Sequence, residues 1–308
     1  MSAPNAPTHG IIAFQGRPGA YSDLACRQAR PGWATLPCAT FAEAIAAVHD
    51  GRADQAMLAC ENSLAGRVPD IHALLPQAGL HIVGEHFQRV EHCLMGVPGS
   101  TLATARRIHT HPVAMAQIRG IIDELGLTPV VEFDTAGSAE LVAQWGNPED
   151  VAVASSLAAE LNGLVILRRN VEDASHNTTR FYIASRDAAR PPAGQPDTIT
   201  TVLFRVRNTA GALYKVLGGF ATAGVNMTRL ESYMLDGSFA ATQFLMDVEG
   251  HPNDPALSRA LAELAFFSEN ASILGVYPAA PFRRDVPENT DAGQAGAKQT
   301  DAKQADKR

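Results

Sequence analysis

The sequence predicts an α/β protein in which a larger first domain is followed by a small domain of βαββαβ order. Three observations predict this fold. Strand-like and helix-like segments alternate from about residue 11 to residue 185, as in an open, largely parallel sheet covered by helices. Residues 187–197 contain three prolines and a glycine, which is typical of a linker. The element order then changes to βαββαβ within about 80 residues, the ferredoxin-like arrangement.

The first domain is predicted at residues 9–187. It opens with the strand Ile11–Phe14, a glycine-containing turn, and a helix from about Asp23. The helix Phe41–His49 places Phe41, Ile45 and Val48 on one face, and the strand Gln55–Cys60 follows. Further helices are predicted at Val68–Leu75, Val113–Leu125, Ala136–Trp145 and Ser155–Leu161, and further strands at His81–Glu85, His92–Val97, Arg107–Thr110, Pro129–Phe133, Val151–Ala154, Val165–Leu167 and Phe181–Ala184.

The linker is assigned to residues 188–198 and the second domain to residues 199–280. Two ferredoxin-like units usually pair, so we expect a homodimer or a homotetramer. The polar tail, residues 285–308, has little to bury and is predicted to be disordered. The second domain is predicted to contain strands at Thr200–Val206, Val225–Met234, Phe239–Val248 and Ser272–Tyr277, and helices at Gly211–Thr222 and Pro255–Phe266.

Composition excludes several classes of protein. The formal net charge of −7 argues against non-specific nucleic-acid binding, which requires a basic surface. The N-terminal residues lack the pattern of a signal peptide, and no stretch approaches the roughly 20 apolar residues of a membrane span. We therefore expect a cytoplasmic protein without a membrane partner. The four cysteines form no CxxC motif, and reduced, buried thiols are the simplest interpretation.

Two turns that follow strands carry candidate ligand-binding residues. The turn after the first strand, ending in Gly19-Ala20-Tyr21-Ser22, precedes a helix whose first N–H groups could face a carboxylate. An ordinary strand–helix turn is the alternative, and neither a Walker loop nor GxGxxG is present. Glu61-Asn62-Ser63 ends a buried strand, the usual position for ligand contacts, although Asn62 and Ser63 could instead cap the next helix.

Two later segments are also candidates. Thr110 closes a strand before a helix that carries Gln117, so its hydroxyl could cap the helix or meet a ligand. His109 and His111 have no carboxylate or cysteine at metal-ligand spacing in the sequence, so no metal is predicted. Residues 177–181, NTTRF, place a hydroxyl beside a guanidinium, which suits an anionic substrate that loses an oxygen leaving group. A polar loop with a surface arginine is the alternative.

Taken together, these stretches resemble the prephenate dehydratase family, which includes the plant arogenate dehydratases. The matching stretches are FQGRPGAYS, CENSLAGRV, THPVAMAQ, DTAGSAELV and NTTRF, spread over about residues 10–186. The later stretches NTAGALYKVL and GVNMTRLES resemble an ACT domain, a small-molecule-sensing module. The resemblance implies a two-lobed catalytic domain like type II periplasmic binding proteins, followed by a ferredoxin-like βαββαβ ACT domain. The chain would cross to the second lobe near Val90 and return near Asn177.

The resemblance also implies a reaction. Prephenate loses CO2 and its ring hydroxyl to give phenylpyruvate, and aromatisation drives the reaction without a cofactor. Family positions assign the catalytic hydroxyl to Thr179, a carboxylate partner to Arg180, and an acidic neighbour to Glu61. Thr110 would face Asn62 across the cleft. The remaining residues that match family positions lining the cleft are Ser63 and Gln117.

By the same resemblance, L-phenylalanine is the expected effector of the ACT domain. Where the family has Arg-Pro after Glu-Ser, this chain has Tyr233-Met234, a departure from the family pattern in the ACT domain. Ala20 replaces a threonine common in the family, as in some arogenate-using relatives, so prephenate and arogenate both remain possible substrates. The residues that match the phenylalanine-binding region are Gly211, Ala212, Leu213, Asn226, Glu231 and Ser232.

Two other classes of protein are alternatives to an enzyme. A solute-binding protein would share the two-lobed fold, but it would be expected to carry a signal peptide or a membrane anchor. A transcriptional sensor could carry an ACT domain, but no basic recognition helix is evident in the sequence.

Overall fold

A computed structural model describes residues 9–234 and 241–285. The predicted disordered tail, apart from Asp285, lies outside these residues. Within them the chain forms a ten-stranded sheet and a separate five-stranded sheet. None of the helices in this part of the chain has the length and apolarity that crossing a bilayer requires.

The first lobe begins with alternating strands and helices. Its second helix, α2 (Phe41–His49), is capped by Thr40, whose side chain accepts a hydrogen bond from Glu43 N, while the Glu43 carboxylate accepts one from Ala39 N. Phe41, Ile45 and Val48 of this helix are buried together, as the spacing predicts. The elements are β1 (Ile11–Gln15), α1 (Tyr21–Ala29), β2 (Ala34–Cys38), α2 (Phe41–His49), β3 (Gln55–Asn62), β4 (Gly66–Arg67), α3 (Pro69–Leu74) and β5 (His81–Arg89).

The second lobe is built on the five-stranded sheet, and the chain crosses between the lobes twice. The Val90 N–H of the outgoing segment donates to Asn177 O of the returning segment at 2.9 Å, so the two crossings are tied together. The elements of this lobe are β6 (Cys93–Gly96), β7 (Arg107–Thr110), α4 (Pro112–Met115), α5 (Arg119–Leu125), β8 (Thr128–Val131), α6 (Thr135–Trp145), β9 (Asp150–Ala154), α7 (Ser156–Leu161) and β10 (Val165–Arg168), after which β11 (Thr178–Ser185) re-enters the first lobe.

Both sheets are mixed, which corrects the expectation of a largely parallel sheet. In the first lobe β1 is parallel to β2 and β3, but β11 is antiparallel to both β3 and β5. In the second lobe β7 is parallel to β8 and β9, whereas β6 is antiparallel to β9 and β10. In the first sheet the reason is that β5 leads out to the second lobe and β11 returns from it, so the two strands run in opposite directions.

The C-terminal domain has the ferredoxin-like order that the sequence predicts. Its strands lie in the order β13-β14-β12-β15, and the two long helices pack against each other on the sheet. The elements are β12 (Thr198–Val206), α8 (Ala212–Ala223), β13 (Met227–Met234), β14 (Ala241–Glu249), α9 (Pro255–Phe267), β15 (Ser268–Pro278) and α10 (Phe282–Asp285).

The C-terminal domain continues the sheet of the first lobe rather than standing apart from it. Strand β15 lies beside β5, where Gly275 pairs with Ile82. A Cβ atom at Gly275 would lie 2.2 Å from Ile82 O, so only glycine permits this approach. Leu203, Leu245 and Tyr277 of the C-terminal domain are buried in one apolar cluster with core residues of the first lobe. The two domains therefore share a core.

A buried histidine also links these two parts of the molecule. His72 of α3 contacts Tyr233 OH through Nδ1 at 2.5 Å and Arg229 Nη2 through Nε2 at 3.0 Å. Burial, together with the Arg229 charge, lowers the pKa of His72 from 6.5 to about 4. The folded protein therefore holds this imidazole neutral at a pH where an unfolded chain would protonate it.

The lowered pKa predicts a loss of stability in mild acid. Between pH 6.5 and about 4 the unfolded chain binds a proton at His72 that the folded chain does not, so the free energy of unfolding decreases as the pH falls. In His72→Gln this decrease should be smaller, by an amount on the order of 2 kcal/mol. Urea unfolding across this pH range measures it, with the exposed His81→Gln as the control. An unchanged pH dependence in His72→Gln would contradict the assignment.

Candidate active site

The first feature of the site is a hydrogen bond between two neighbouring strands. Thr179 on β11 lies opposite Asn62 on β3, and Asn62 Nδ2 donates to Thr179 Oγ1 at 3.0 Å. Asn62 Oδ1 accepts from Leu64 N and Ala65 N, which fixes the orientation of the amide. The threonine oxygen is therefore an acceptor in this pair, and its hydroxyl hydrogen is not used in the bond.

A chain of polar side chains extends this pair towards the second lobe. Asn62 Nδ2 also donates to Asn177 Oδ1 at 2.8 Å, and Asn177 Nδ2 donates to Gln117 Oε1 at 2.9 Å. Gln117 Oε1 lies 3.1 Å from His92 Nε2, and His92 Nδ1 lies 2.9 Å from Tyr21 OH. The chain thus joins both lobes through groups that are far apart in the sequence.

The protonation of the last two groups follows from their surroundings. Burial lowers the pKa of His92, so the imidazole is neutral. Its Nε2 must then carry the hydrogen, because its partner, the Gln117 oxygen, can only accept. His92 Nδ1 is then an acceptor, and the single Tyr21 hydroxyl hydrogen is shared between His92 Nδ1 at 2.9 Å and Glu91 O at 3.0 Å. Burial, with Cys93 and Glu172 nearby, raises the pKa of Tyr21 well above its ordinary range, so the phenol keeps its hydrogen.

The structure therefore brings together four of the residues predicted from the sequence, namely Thr179, Asn62, Gln117 and Tyr21. It adds two that the sequence reasoning missed as site residues, Asn177 and His92. Asn177 belongs to the NTTRF stretch and lies two residues before Thr179, so the sequence could have indicated it as a site residue. His92 lies in no recognised stretch, and only the fold reveals its contact with Gln117.

The predicted anion loop is corrected by the hydrogen bonds of its first two residues. Gly19 N donates to the buried Asp23 carboxylate at 2.9 Å, and Ala20 N donates to Arg17 O. These two N–H groups are occupied, and the carboxylate of Asp23 already sits in the first helical turn. Only the backbone at Tyr21 and the partly buried Ser22 remain as candidate anion contacts within the loop.

Gly19 instead serves the contact between the lobes. Its carbonyl accepts from Ser155 Oγ at 2.6 Å, and a Cβ atom on Gly19 would lie 2.8 Å from Ala158 Cα. Nearby, Arg17 contacts Asp134 at 3.2 Å. The turn after β1 is thus packed against the second lobe.

Arg180 was predicted to bind a substrate carboxylate, and the structure contradicts this role. Successive side chains of a strand point to opposite faces, so Arg180 points away from Thr179. Its guanidinium donates to Glu85 at 2.7 and 2.9 Å and to Asp247 at 2.6 Å, and the residue is only 4% exposed. Glu61 lies on the same side, 3.9 Å from Arg180 Nη1. Neither residue faces the hydroxyl of Thr179.

Thr110 and Ser63 also have roles that differ from the predictions. Thr110 is fully buried and donates to Val153 O at 2.7 Å, so it packs inside the second lobe instead of lining a cleft. His111, not Thr110, caps the following helix. Ser63 Oγ donates to His176 O at 2.8 Å and accepts from Thr178 N at 2.9 Å, so this hydroxyl braces the end of β3 against the returning chain.

The predicted regulatory residues lie at two ends of the C-terminal domain. Gly211, with Ala212 and Leu213, starts α8, whereas Asn226 follows its C-terminus. The 12-residue helix separates them by about 18 Å. Glu231 and Ser232 lie on β13, where Ser232 O accepts from Arg67 Nη1 of the first lobe. One chain therefore does not bring these residues into a single site.

No group of three or more His, Cys, Asp or Glu side chains arranged to hold a metal ion occurs within residues 9–234 and 241–285. The group that most resembles a metal site among these residues is centred on His109. His109, which has no acidic partner in its own stretch of sequence, meets Glu132 at 3.0 Å and Asp150 at 3.1 Å across the sheet. Arg107 binds the same Asp150 carboxylate. These atoms satisfy one another by hydrogen bonds.

Comparisons with known proteins find related dehydratases. A family model described as prephenate dehydratase matches residues 12–189. A protein of Komagataeibacter europaeus, named bifunctional N-acyl-homoserine lactone acylase/prephenate dehydratase, is 81% identical over 274 residues, which cover 89% of this chain and 98% of that protein. Arogenate dehydratase 1 of Petunia hybrida is 38% identical over 292 residues, covering 89% of this chain and 68% of the relative.

A solved structure extends the comparison to three dimensions. It is the prephenate dehydratase of Arthrobacter aurescens in complex with L-Phe, which is 30% identical to this chain. The TM-score is 0.77, and the match covers 96% of this chain and 99% of the other. On these matches the chain is a dehydratase, that is, a carbon–oxygen lyase, and it belongs to the prephenate dehydratase family.

Proposed function

We propose that this chain converts prephenate to phenylpyruvate, CO2 and water. The observation that carries the proposal is the hydrogen bond from Asn62 Nδ2 to Thr179 Oγ1. Because the threonine oxygen accepts there, its O–H can be donated to the hydroxyl that leaves the substrate ring. The family match over residues 12–189 supports the choice of substrate.

The reaction requires no redox change in the protein. The bond between the ring and its carboxylate breaks, and its electron pair enters the ring. The C–O bond at the opposite ring carbon then breaks, and the departing hydroxide takes up a proton to become water. A hydrogen bond from Thr179 stabilises the charge that develops on the departing oxygen. The hydroxyl pKa of threonine is too high for full proton donation, so the proton comes ultimately from solvent.

The other residues of the polar chain keep this donor in place. Asn62 is held by two backbone N–H groups and by Asn177, and Asn177 is held by Gln117 of the second lobe. Dipoles that are fixed before the reaction need no reorganisation when charge develops. Because Gln117 and His92 belong to the side of the second lobe, the alignment of Thr179 depends on how the two lobes meet.

Thr179→Ala should lower kcat by roughly 10²-fold or more, the range for a lost acid or oxyanion donor. Phenylpyruvate formation from prephenate measures it, and phenylalanine formation from arogenate should be followed in parallel to decide substrate preference. Thr178→Ala is the matched control, because Thr178 is the preceding residue on β11 and points to the opposite face. A folded Thr179→Ala protein with near-normal kcat would refute the catalytic role.

We also propose that L-phenylalanine regulates the enzyme through the C-terminal domain. The Arthrobacter aurescens relative is described in complex with L-Phe, and this chain carries Gly211, Ala212, Leu213 and Asn226 in the corresponding stretches. Since α8 keeps Gly211 and Asn226 about 18 Å apart in one chain, a site that uses both requires two copies. The regulatory proposal therefore includes a dimer formed through this domain.

Calorimetric titration of the full chain with L-phenylalanine should give saturable heat. Asn226→Ala should weaken the binding, because the exposed Asn226 amide would be one of the ligand contacts. Asn270→Ala, an exposed asparagine elsewhere in the same domain, is the control and should bind as the wild type does. Absence of heat up to millimolar phenylalanine, with an enzyme active on prephenate, would exclude this regulation.

A second activity is favoured by one specific observation. The Komagataeibacter europaeus relative, 81% identical and covered over 98% of its length, is named for an N-acyl-homoserine lactone acylase activity as well. Such hydrolysis adds water across the amide and releases a fatty acid and homoserine lactone. Incubation of the purified chain with an N-acyl-homoserine lactone should release both products, detected by mass spectrometry. Failure with a preparation active on prephenate would restrict this chain to the dehydratase activity.

A further inference from the structure

The catalytic strand β11 presents two different environments on its two faces. Thr179 faces the polar chain that includes Asn62, while the next residue, Arg180, points towards the C-terminal domain. There Arg180 binds Glu85 of β5 and Asp247 of β14 at the same time. The guanidinium thus connects the strand that carries Thr179 to a strand of the other domain.

The acceptor on the C-terminal side is firmly held. Asp247 is fully buried and also accepts hydrogen bonds from Thr201 Oγ1 at 2.6 Å and from Tyr182 OH at 3.0 Å. Burial alone would raise the pKa of Asp247, but the charges of Arg180 and Arg229 outweigh burial and lower it. The carboxylate is therefore ionised, and Arg180 has a fixed charged partner.

The strand that carries Asn62 is held from the same side. Cys60 lies two residues before Asn62 on β3, and its Sγ lies 3.4 Å from Arg180 O. The Cys60 carbonyl lies 3.1 Å from His72 Nε2, and His72 in turn contacts Tyr233 OH of β13. Both strands of the Asn62–Thr179 pair are thus linked to the C-terminal domain, β11 at the residue after Thr179 and β3 two residues before Asn62.

We propose that Asp247 is a positioning residue for the dehydration, which acts through Arg180 to hold the Thr179 hydroxyl in its reactive position. The inference deepens the proposed function and rests on it. Thr179 and Arg180 share a peptide unit, so a shift of the Arg180 backbone moves Thr179 with it. Catalytic groups must be held within about 0.5 Å of their productive geometry, and side chains locked by surrounding hydrogen bonds provide that precision.

The test is Asp247→Asn in the full chain, which keeps the shape of the side chain and removes the charge that holds Arg180. It should lower kcat about 10-fold or more, as expected when a catalytic group is displaced by a fraction of an ångström. KM should change by less than about two-fold, because the contact of Thr179 with the leaving oxygen strengthens in the transition state.

Thr200→Val is the matched control. It removes a hydrogen bond of a buried residue on the neighbouring strand β12, from Thr200 Oγ1 to Gly250 O at 2.7 Å, and leaves the hydrogen bonds of Asp247 in place. We expect a loss of thermal stability in both variants but near-normal kcat in Thr200→Val. An equal loss of kcat in both would show that general destabilisation is responsible, and it would overturn the proposal.

A double variant separates positioning from other effects. If Asp247 acts through the Thr179 hydroxyl, adding Asp247→Asn to Thr179→Ala should lower kcat by less than about two-fold further. A full, additive loss in that background would overturn the proposal while leaving the catalytic role of Thr179 intact. Conversely, a Thr179→Ala protein with normal kcat would refute the proposed function itself, so the two failures are distinguishable.

Arg180→Lys provides the same test if Asp247→Asn does not fold. Lysine keeps the charge but lacks the planar fork that binds two carboxylates in fixed directions. Its kcat should fall with KM little changed, and the fall should again disappear in the Thr179→Ala background. A folded Arg180→Lys or Asp247→Asn protein with wild-type kcat would refute the positioning role.

Discussion

The alternation of side chains along β11 is the constraint on which the rest of this structure depends. Because neighbouring residues of a strand face opposite ways, Thr179 and Arg180 cannot serve the same site. One face of the strand meets Asn62, and the other meets Glu85 and Asp247. The NTTRF stretch is therefore divided between two faces, with Thr179 in contact with Asn62 on one and Arg180 in contact with the C-terminal domain on the other.

The features that could be predicted from the sequence are those that depend on residues close together in the chain. Helix periodicity placed Phe41 and Ile45 in the core, and the βαββαβ order predicted the ferredoxin-like domain. The resemblance predicts roles for Thr179 and Asn62, and the register of β3 and β11 makes these two residues neighbours. The ion pairs of Arg180 could not be predicted in this way, because an arginine beside a threonine suggests anion binding until the face of the strand is known.

The parts that could not be predicted depend on contacts between distant segments. The hydrogen bond between Asn177 and Gln117 spans 60 residues, and that between Arg180 and Asp247 spans 67. Neither pair has a fixed spacing that a sequence pattern could reveal. The same holds for Gly19 and Thr110, whose donor groups are hydrogen-bonded to Asp23 and to Val153 O. The sequence does not show whether such a donor is free or already paired.

A buried ion cluster contributes little net free energy to the contact between two domains. Desolvation of the charged groups offsets much of their attraction, and well-packed apolar side chains of similar volume often stabilise as well or better. The value of Arg180 with Glu85 and Asp247 is therefore directional rather than energetic: a planar guanidinium between two carboxylates has one geometry, whereas an apolar contact can slide. Apolar packing through Leu203, Leu245 and Gly275 already holds the domains together, so the ionic contact is left to determine where β11 lies relative to β14.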